Sequence, residues 1–221
     1  WLAKFAEYSQ KEFTTCIEKE LSPSSRELTM GEVIKEINAL TLGNAIIVTD
    51  VGQHQMVTCR YAKFNETKSN ITSGGLGTMG FALPAAIGAK YGAPDRTVIA
   101  IIGDGGFQMT LQELGTIMQN DMGVKIIILN NEFLGMVRQW QELFHERRYS
   151  FTDIKSPDFV MLAKAYNIDS QRVSERDKLK DALKTMLTND SSYLLEVMVG
   201  KENNVFPMVP QGCSVAEIRL S

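Results

Sequence analysis

A chain of 221 residues, 44% hydrophobic and 22% charged, is long enough to bury a core as one large domain or two small ones. Its ordinary composition and net charge of −3 exclude compositional disorder, a collagen-like repeat and a disulfide scaffold. The absence of a basic block argues against a nucleic-acid surface, and no apolar run approaches the roughly 18–20 residues that span a bilayer.

The chain opens on Trp1-Leu-Ala-Lys-Phe5 with no basic-then-apolar leader, and it reads as excised from a longer protein. Residues 1–27 place apolar side chains among many charges and read as a peripheral helix or linker remnant, broken at Ser22-Pro23-Ser24-Ser25. Thr29, three residues before Glu32, has the spacing of a capping box. Val33, Ile34, Ile37 and Leu40 follow at helical intervals, and Gly43 closes that helix. Four apolar runs then read as strands: Ala45–Thr49, Thr97–Ile102, Val124–Leu129 and Tyr193–Val199. Between them, Phe81–Tyr91, Thr110–Asn120, Gly135–Phe144, Phe159–Tyr166 and Asp177–Leu187 have helical patterns. Such alternation predicts an α/β fold with right-handed crossovers and a mostly parallel sheet. The main domain is expected over 28–200. Residues 201–221, with Pro207 and Pro210 and no periodicity, read as an extended closing arm. Cys16, Cys59 and Cys213 are odd in number and lack C-x-x-C spacing, and the only histidines are His54 and His145. A zinc site is therefore not expected, and reduced thiols in a cytoplasmic protein are.

In an open α/β sheet, ligands bind outside the carboxyl ends of the strands. Asp104 and Asn131 each follow such an end, so a carboxylate and a carboxamide can project into one crevice. Magnesium favours such hard oxygen donors, completed by water and phosphate. Gly103, Gly105 and Gly106 allow backbone N–H groups to approach an anion, and the helix expected from Thr110 would point its positive end there. The bland alternative is that Asp104 caps a helix and Asn131 turns the chain. Gly75-Leu-Gly77-Thr-Met-Gly80 matches the G-x-G-x-x-G dinucleotide pattern, but Asn70–Thr72 is too short to be read as the strand that pattern requires.

Gly103-Asp104-Gly105, followed after 24 residues by Asn130-Asn131, resembles the thiamine diphosphate motif. Val51–Met56, Ile71–Gly80, Leu83–Gly88, Leu134–Gln141 and Pro157–Phe159 are similar to acetohydroxyacid synthase, also called acetolactate synthase, over roughly Leu28 to Pro210. The resemblance implies a sheet of about six strands with helices on both faces. It implies Mg2+ held by Asp104, the Asn131 side chain and the Phe133 carbonyl. Backbone around Gly103, Gly105 and Gly106 would hold the diphosphate. Gly77 and Met79 would meet the aminopyrimidine, with Met79 as the wedge that bends the cofactor. Val51, Gly52, Gln53, His54, Leu134, Gly135 and Met136 would complete the cofactor site. Met136, Val137 and Trp140 would line the substrate pocket.

The implied reaction decarboxylates pyruvate and condenses the product with a second 2-ketoacid, giving 2-acetolactate or 2-aceto-2-hydroxybutyrate for valine, leucine and isoleucine synthesis. No catalytic residue is expected here, because the activating glutamate of the family belongs to an N-terminal domain of a neighbouring subunit. FAD, a homodimer or homotetramer and a small regulatory subunit are implied for the full-length enzyme. Another thiamine diphosphate enzyme, of pyruvate oxidase or glyoxylate carboligase type, and a non-catalytic module keeping the fold stand as alternatives.

Taken without the resemblance, Met136, Val137 and Trp140 are spaced as a core-facing helix. His54 reads as a polar pocket wall that nothing nearby orients. Glu113, Arg138 and Glu142 read as solvated or interface charges. Val57-Thr-Cys-Arg60 departs from the Trp-Ala-Ala-Gln type of sequence common at this point in the family, which bears on packing rather than chemistry.

Overall fold

The computed structural model describes residues 1–221. Six strands form one all-parallel sheet: β1 (Ile46–Thr49), β2 (Asn70–Thr72), β3 (Val98–Gly103), β4 (Val124–Asn130), β5 (Asp169–Val173) and β6 (Tyr193–Met198). Their spatial order is β2-β1-β3-β4-β6-β5. From β1 the chain moves out to β2 and returns to β3 on the other side of β1. The strand order thus reverses between β1 and β3, where an open α/β sheet leaves a crevice at its carboxyl edge.

The helices are α1 (Leu2–Glu12), α2 (Glu18–Leu21), α3 (Met30–Thr41), α4 (Gln53–Tyr61), α5 (Ala82–Gly92), α6 (Asp104–Phe107), α7 (Leu114–Asn120), α8 (Gly135–Phe144), α9 (Phe159–Ala165) and α10 (Arg176–Thr188). A π-helical turn, Phe13–Ile17, joins α1 to α2. Strand side chains alternate between two buried layers. Ile99, Ile101, Ile127 and Leu129 pack against α3 and α10 through Ile34, Ile37, Leu179 and Leu183. Val98, Ala100, Ile102, Ile126 and Ile128 pack against α5, α7 and α9 through Leu83, Ala86, Ile117 and Phe159. This double burial explains why β3 and β4 are apolar without interruption.

Local chemistry sets the helix ends. Thr29 Oγ1 accepts the Glu32 N–H at 3.2 Å, and Glu32 Oε2 accepts the Thr29 N–H at 3.0 Å, which completes the expected capping box. The Glu32 carboxylate also receives Arg176 Nε at 2.5 Å, joining the starts of α3 and α10. Leu42, in the left-handed conformation, ends α3 just before Gly43.

The structure differs from the sequence reading at four elements, one of them β5, an edge strand that no apolar run announced. Asn70–Thr72 is a strand despite its length, because pairing with β1 supplies the backbone partners. The glycine run after it forms turns, and α5 begins only at Ala82. No helix starts at Thr110: Asp104–Phe107, with Gly105 and Gly106 inside it, is itself the short helix α6, and the Thr110 region gives a 3-10 turn, Leu111–Glu113, before α7. The segment after β1, given no element from the sequence, is helix α4. Within it, Arg60 pairs with Glu12 of α1, so the departing Val57–Arg60 stretch is where the first helix meets the sheet-bearing part of the chain.

Removing the cap by Thr29→Ala is expected to cost about 1 kcal/mol. Ile127→Ala, in the middle of the sheet, should cost about 2–5 kcal/mol because it leaves a cavity. Urea denaturation of the two variants reads both; equal losses would mean that the sheet interior relaxes around the void.

Candidate cofactor site

Three chain segments converge at the carboxyl edge of β1, β3 and β4. Asp50, the residue after β1, is fully buried. Its Oδ1 bonds to His54 Nε2, one helical turn on, and its Oδ2 accepts the Gly80 N–H at 2.9 Å. A carboxylate on Nε2 places a ring proton there and leaves the other nitrogen, Nδ1, turned away from Asp50. That nitrogen faces the end of β3, where a Cβ on Gly103 would sit 3.0 Å away. His54 is thus oriented by a carboxylate, contrary to the expectation that nothing nearby orients it. The Asp-x-x-x-His spacing across a strand end and the following helix was the available signal. Gly106 lies so close to Asp50 that any side chain there would collide with the carboxylate.

One cleft gathers Val51, Gly52, Gln53 and His54 from the β1 end, Met79 from the loop before α5, and Gly103, Asp104, Gly105 and Gly106 from β3 and α6. Asn131, Phe133, Leu134, Gly135, Met136 and Val137 line it from the β4 end and α8. Met30 and Leu129 also face it, neither of them singled out from the sequence. Gly77 is not part of the lining but lies beside it, since a side chain there would touch Val51 at 3.5 Å. Trp140 stands outside the cleft and packs edge-on against Phe144, ring centres 5.3 Å apart.

Asp104 is 1% exposed, and its side chain accepts a hydrogen bond from Ser156 Oγ at 3.2 Å. Burial raises its proton affinity from an ordinary 3.8 to about 6, against the partial relief given by Ser156 and nearby backbone N–H groups. The Asn131 carboxamide is held at both ends. Nδ2 donates to Gln53 Oε1 at 3.4 Å, and Oδ1 accepts the Phe133 N–H at 3.2 Å. An amide oxygen has a second lone pair, which remains for a cation. Gly135 permits this approach, because a Cβ there would lie 2.8 Å from Asn131 Nδ2.

The back of α8 is polar and buried. Arg138, read from the sequence as a solvated or interface charge, is 0% exposed. It donates to Glu142 Oε2 at 2.5 Å, to the Asn203 carbonyl at 3.1 Å and to Asn204 Oδ1 at 2.6 Å. Hydrogen bonds from Arg138 and Asn204 and the guanidinium charge hold the Glu142 carboxyl below the usual range, although burial opposes them. Gln139 exchanges two 3.0 Å hydrogen bonds with the backbone of Val205. Gln53 Nε2 donates to Gln139 Oε1 at 2.8 Å and to the Asn203 carbonyl at 2.9 Å. Residues 203–205 therefore hold α8 from behind and, through Gln53, reach Asn131. Asn203 and Asn204 lie more than sixty positions from Arg138 in sequence, and the i,i+4 pairing with Glu142 would by itself fit a solvated helix face equally well. Glu113 carries no comparable network and accepts only the Thr116 hydroxyl.

The family described as "Thiamine pyrophosphate enzyme, C-terminal TPP binding domain" matches residues 50–197. The acetolactate synthase isozyme 2 large subunit of Escherichia coli (strain K12) is 46% identical over 187 residues, covering 84% of this chain and 34% of the relative. The acetolactate synthase large subunit of Lactococcus lactis subsp. lactis (strain IL1403) is 47% identical over 192 residues, 86% of this chain and 33% of the relative. The mitochondrial acetolactate synthase catalytic subunit of Aspergillus candidus is 48% identical over 189 residues, 86% of this chain and 27% of the relative. The chain spans about a third of the length of these curated relatives. With the matched stretch running from the buried Asp50 through both strand ends to β6, this chain belongs to the thiamine pyrophosphate enzymes, as their C-terminal TPP-binding domain.

Proposed function

We propose that this chain is the diphosphate-side half of an acetolactate synthase active site, which decarboxylates pyruvate and joins the two-carbon product to a second 2-ketoacid. The observation that carries the reading is the buried Asp104 carboxylate beside Asn131 in one cleft, with no basic side chain paired to it. A carboxylate in that position lacks a counter-charge, and a divalent cation supplies one. No set of three or more His, Cys, Asp or Glu side chains forms a metal cluster here. One carboxylate with neutral oxygens suits Mg2+, which completes its octahedron with water and phosphate oxygens.

Asp104, Asn131 Oδ1 and the Phe133 carbonyl would hold Mg2+. Backbone at Gly103, Gly105 and Gly106 would hold the diphosphate, and Gly77 with Met79 the pyrimidine end. Val51, Gly52, Gln53, His54, Leu134 and Gly135 would frame the cofactor, and Met136, Val137 and Trp140 would present the substrate-facing side of α8. Thiamine diphosphate, when bound, supplies the electron sink for decarboxylation. His54 keeps its Nε2 proton toward Asp50, which leaves Nδ1 toward the cleft. Met79, Leu134, Met136 and Val137 give it an apolar lining.

In this reading residues 28–200 are the cofactor-binding domain and 201–221 its closing arm. The activating glutamate comes from another domain of a neighbouring full-length subunit, so the protein works as a homodimer or homotetramer. FAD and a small regulatory subunit belong to that assembly. The three free thiols support a reducing compartment such as the cytoplasm, and no helix is long and apolar enough to cross a membrane.

Asp104→Ala should abolish Mg2+-dependent thiamine diphosphate binding measured by calorimetry on the full-length protein; unchanged Mg2+ dependence would sink the metal assignment. Asp104→Asn should separate stability from binding. The folded chain holds the Asp104 proton up to about pH 6 and the unfolded chain only to 3.8, so its contribution to stability falls as pH rises through that window. The Asn variant lacks this loss. Without ligand it should match the parent below the window and exceed it above by about 2–3 kcal/mol, while losing its response to Mg2+. Denaturant titrations at acid and neutral pH check the sign.

The reaction itself is tested by product analysis of the full-length protein with pyruvate and 2-ketobutyrate. The expected products are 2-acetolactate and 2-aceto-2-hydroxybutyrate. Release of acetate or acetyl phosphate would reassign the chain to an oxidase.

A further inference from the structure

Glu196 is a buried carboxylate, 1% exposed, with no place in the site described so far. It stands in β6, opposite Ile128 of β4 and Arg172 of β5. Arg172 Nε donates to its Oε2 at 2.6 Å and compensates its charge. Its Oε1 accepts Asn130 Nδ2 at 2.8 Å, two residues further along β4 on the same face of the sheet.

An ionised carboxylate accepts hydrogen bonds and donates none. The Asn130 carboxamide therefore has one allowed orientation, with Nδ2 toward Glu196 and Oδ1 turned away. That oxygen accepts the Glu132 N–H at 3.0 Å and closes a turn around Asn131. Glu132 is held at φ 55°, a left-handed conformation that a residue with a side chain rarely adopts unaided. Asn131 and Phe133, on either side of Glu132, are the two ligands this turn would present.

We propose that Glu196 is a positioning residue: by fixing the polarity of the Asn130 amide, it sets the turn that presents Asn131 and the Phe133 carbonyl to the metal. The inference rests on the reading of those two residues as Mg2+ ligands. Arg172 acts behind Glu196 as its counter-ion, and its second partner, Asp158 at 3.3 Å, caps α9 by accepting the Val160 and Met161 N–H groups. The device thus runs from the turn at the end of β4 across β6 and β5 to a helix cap.

The test compares Glu196→Gln, Asn130→Asp and the double variant with the parent by two readouts. The first is hydrogen exchange at the Glu132 amide in the cofactor-free chain. The second is the affinity of the full-length protein for thiamine diphosphate titrated with MgCl2. Glu196→Gln can donate as well as accept, so the Asn130 amide loses its fixed sense. Protection at Glu132 should fall, and affinity should weaken about 10–100-fold, the usual effect of losing an outer partner of a metal ligand. Asn130→Asp sets two carboxylates face to face and should be worse. Adding Glu196→Gln to it exchanges donor and acceptor, restores an oxygen for the Glu132 N–H, and should recover most of both readouts. A folded Glu196→Gln with unchanged protection and affinity overturns the proposal, as does a double variant no better than Asn130→Asp alone. Should Glu196→Gln not fold, the comparison of Asn130→Asp with the double variant decides it. If the parent binds no cofactor, the functional reading fails, while exchange at Glu132 still judges the positioning role.

Discussion

Asp50 is the residue on which the geometry of the cleft depends. Its carboxylate is fully buried, and each oxygen is used: one holds the His54 imidazole, the other the Gly80 N–H. A buried charge is tolerated only where such partners exist. Here those partners come from α4 and from the loop before α5, while Gly106 at the β3 end is pressed against the same group. Three segments that would otherwise end independently are drawn to one point. An apolar residue at this position would fill the volume but release the glycine loop and the imidazole together.

Asp104 shows the opposite arrangement at a distance of one strand. It is buried too, yet a single hydroxyl and backbone N–H groups serve it, and its affinity for a proton rises accordingly. The two carboxylates have the same chemistry and different completeness. Asp50 is satisfied within the chain and shapes it. Asp104 is left for a partner that brings positive charge, and the folded chain is less stable at neutral pH for keeping it. Incomplete satisfaction of this kind is expected at functional sites rather than in structural cores.

Much of this was legible in the sequence where the physics is local. The uninterrupted apolar runs of β3 and β4, the Thr29–Glu32 cap and the bounds of α8 follow from side chains a few positions apart. The Gly103–Asp104 and Asn130–Asn131 pairs could be placed at strand ends by the same reasoning. What escaped depends on distant partners. β5 is a polar edge strand, Asp169–Val173, whose alternation carries little apolar signal, and β2 is three residues stabilised by its neighbour. Helix α4 begins with Gln53 and His54, polar residues that are buried because they face the cleft, so its pattern does not look amphipathic. Arg138 is the sharpest case. A guanidinium on a helix is ordinarily solvated, and here the Glu142 carboxylate one turn on, with the distant Asn203 carbonyl and Asn204 carboxamide, makes its burial tolerable.

The burial of Arg138 also divides the labour on α8. Its rear, Arg138 and Gln139, is fixed by hydrogen bonds to residues 203–205 and by Gln53. Its front, Met136 and Val137, makes apolar contact with the cleft and carries no such bonds. Hydrogen-bonded anchors are intolerant of change because each partner left unpaired in the interior costs about 1–3 kcal/mol. Apolar lining residues of similar volume exchange at smaller cost. The helix can therefore vary the face it offers to a substrate without moving the turn that carries Asn131. A change behind it, at Arg138 or in the arm, would shift the whole helix and, through Gln53, disturb the metal side as well.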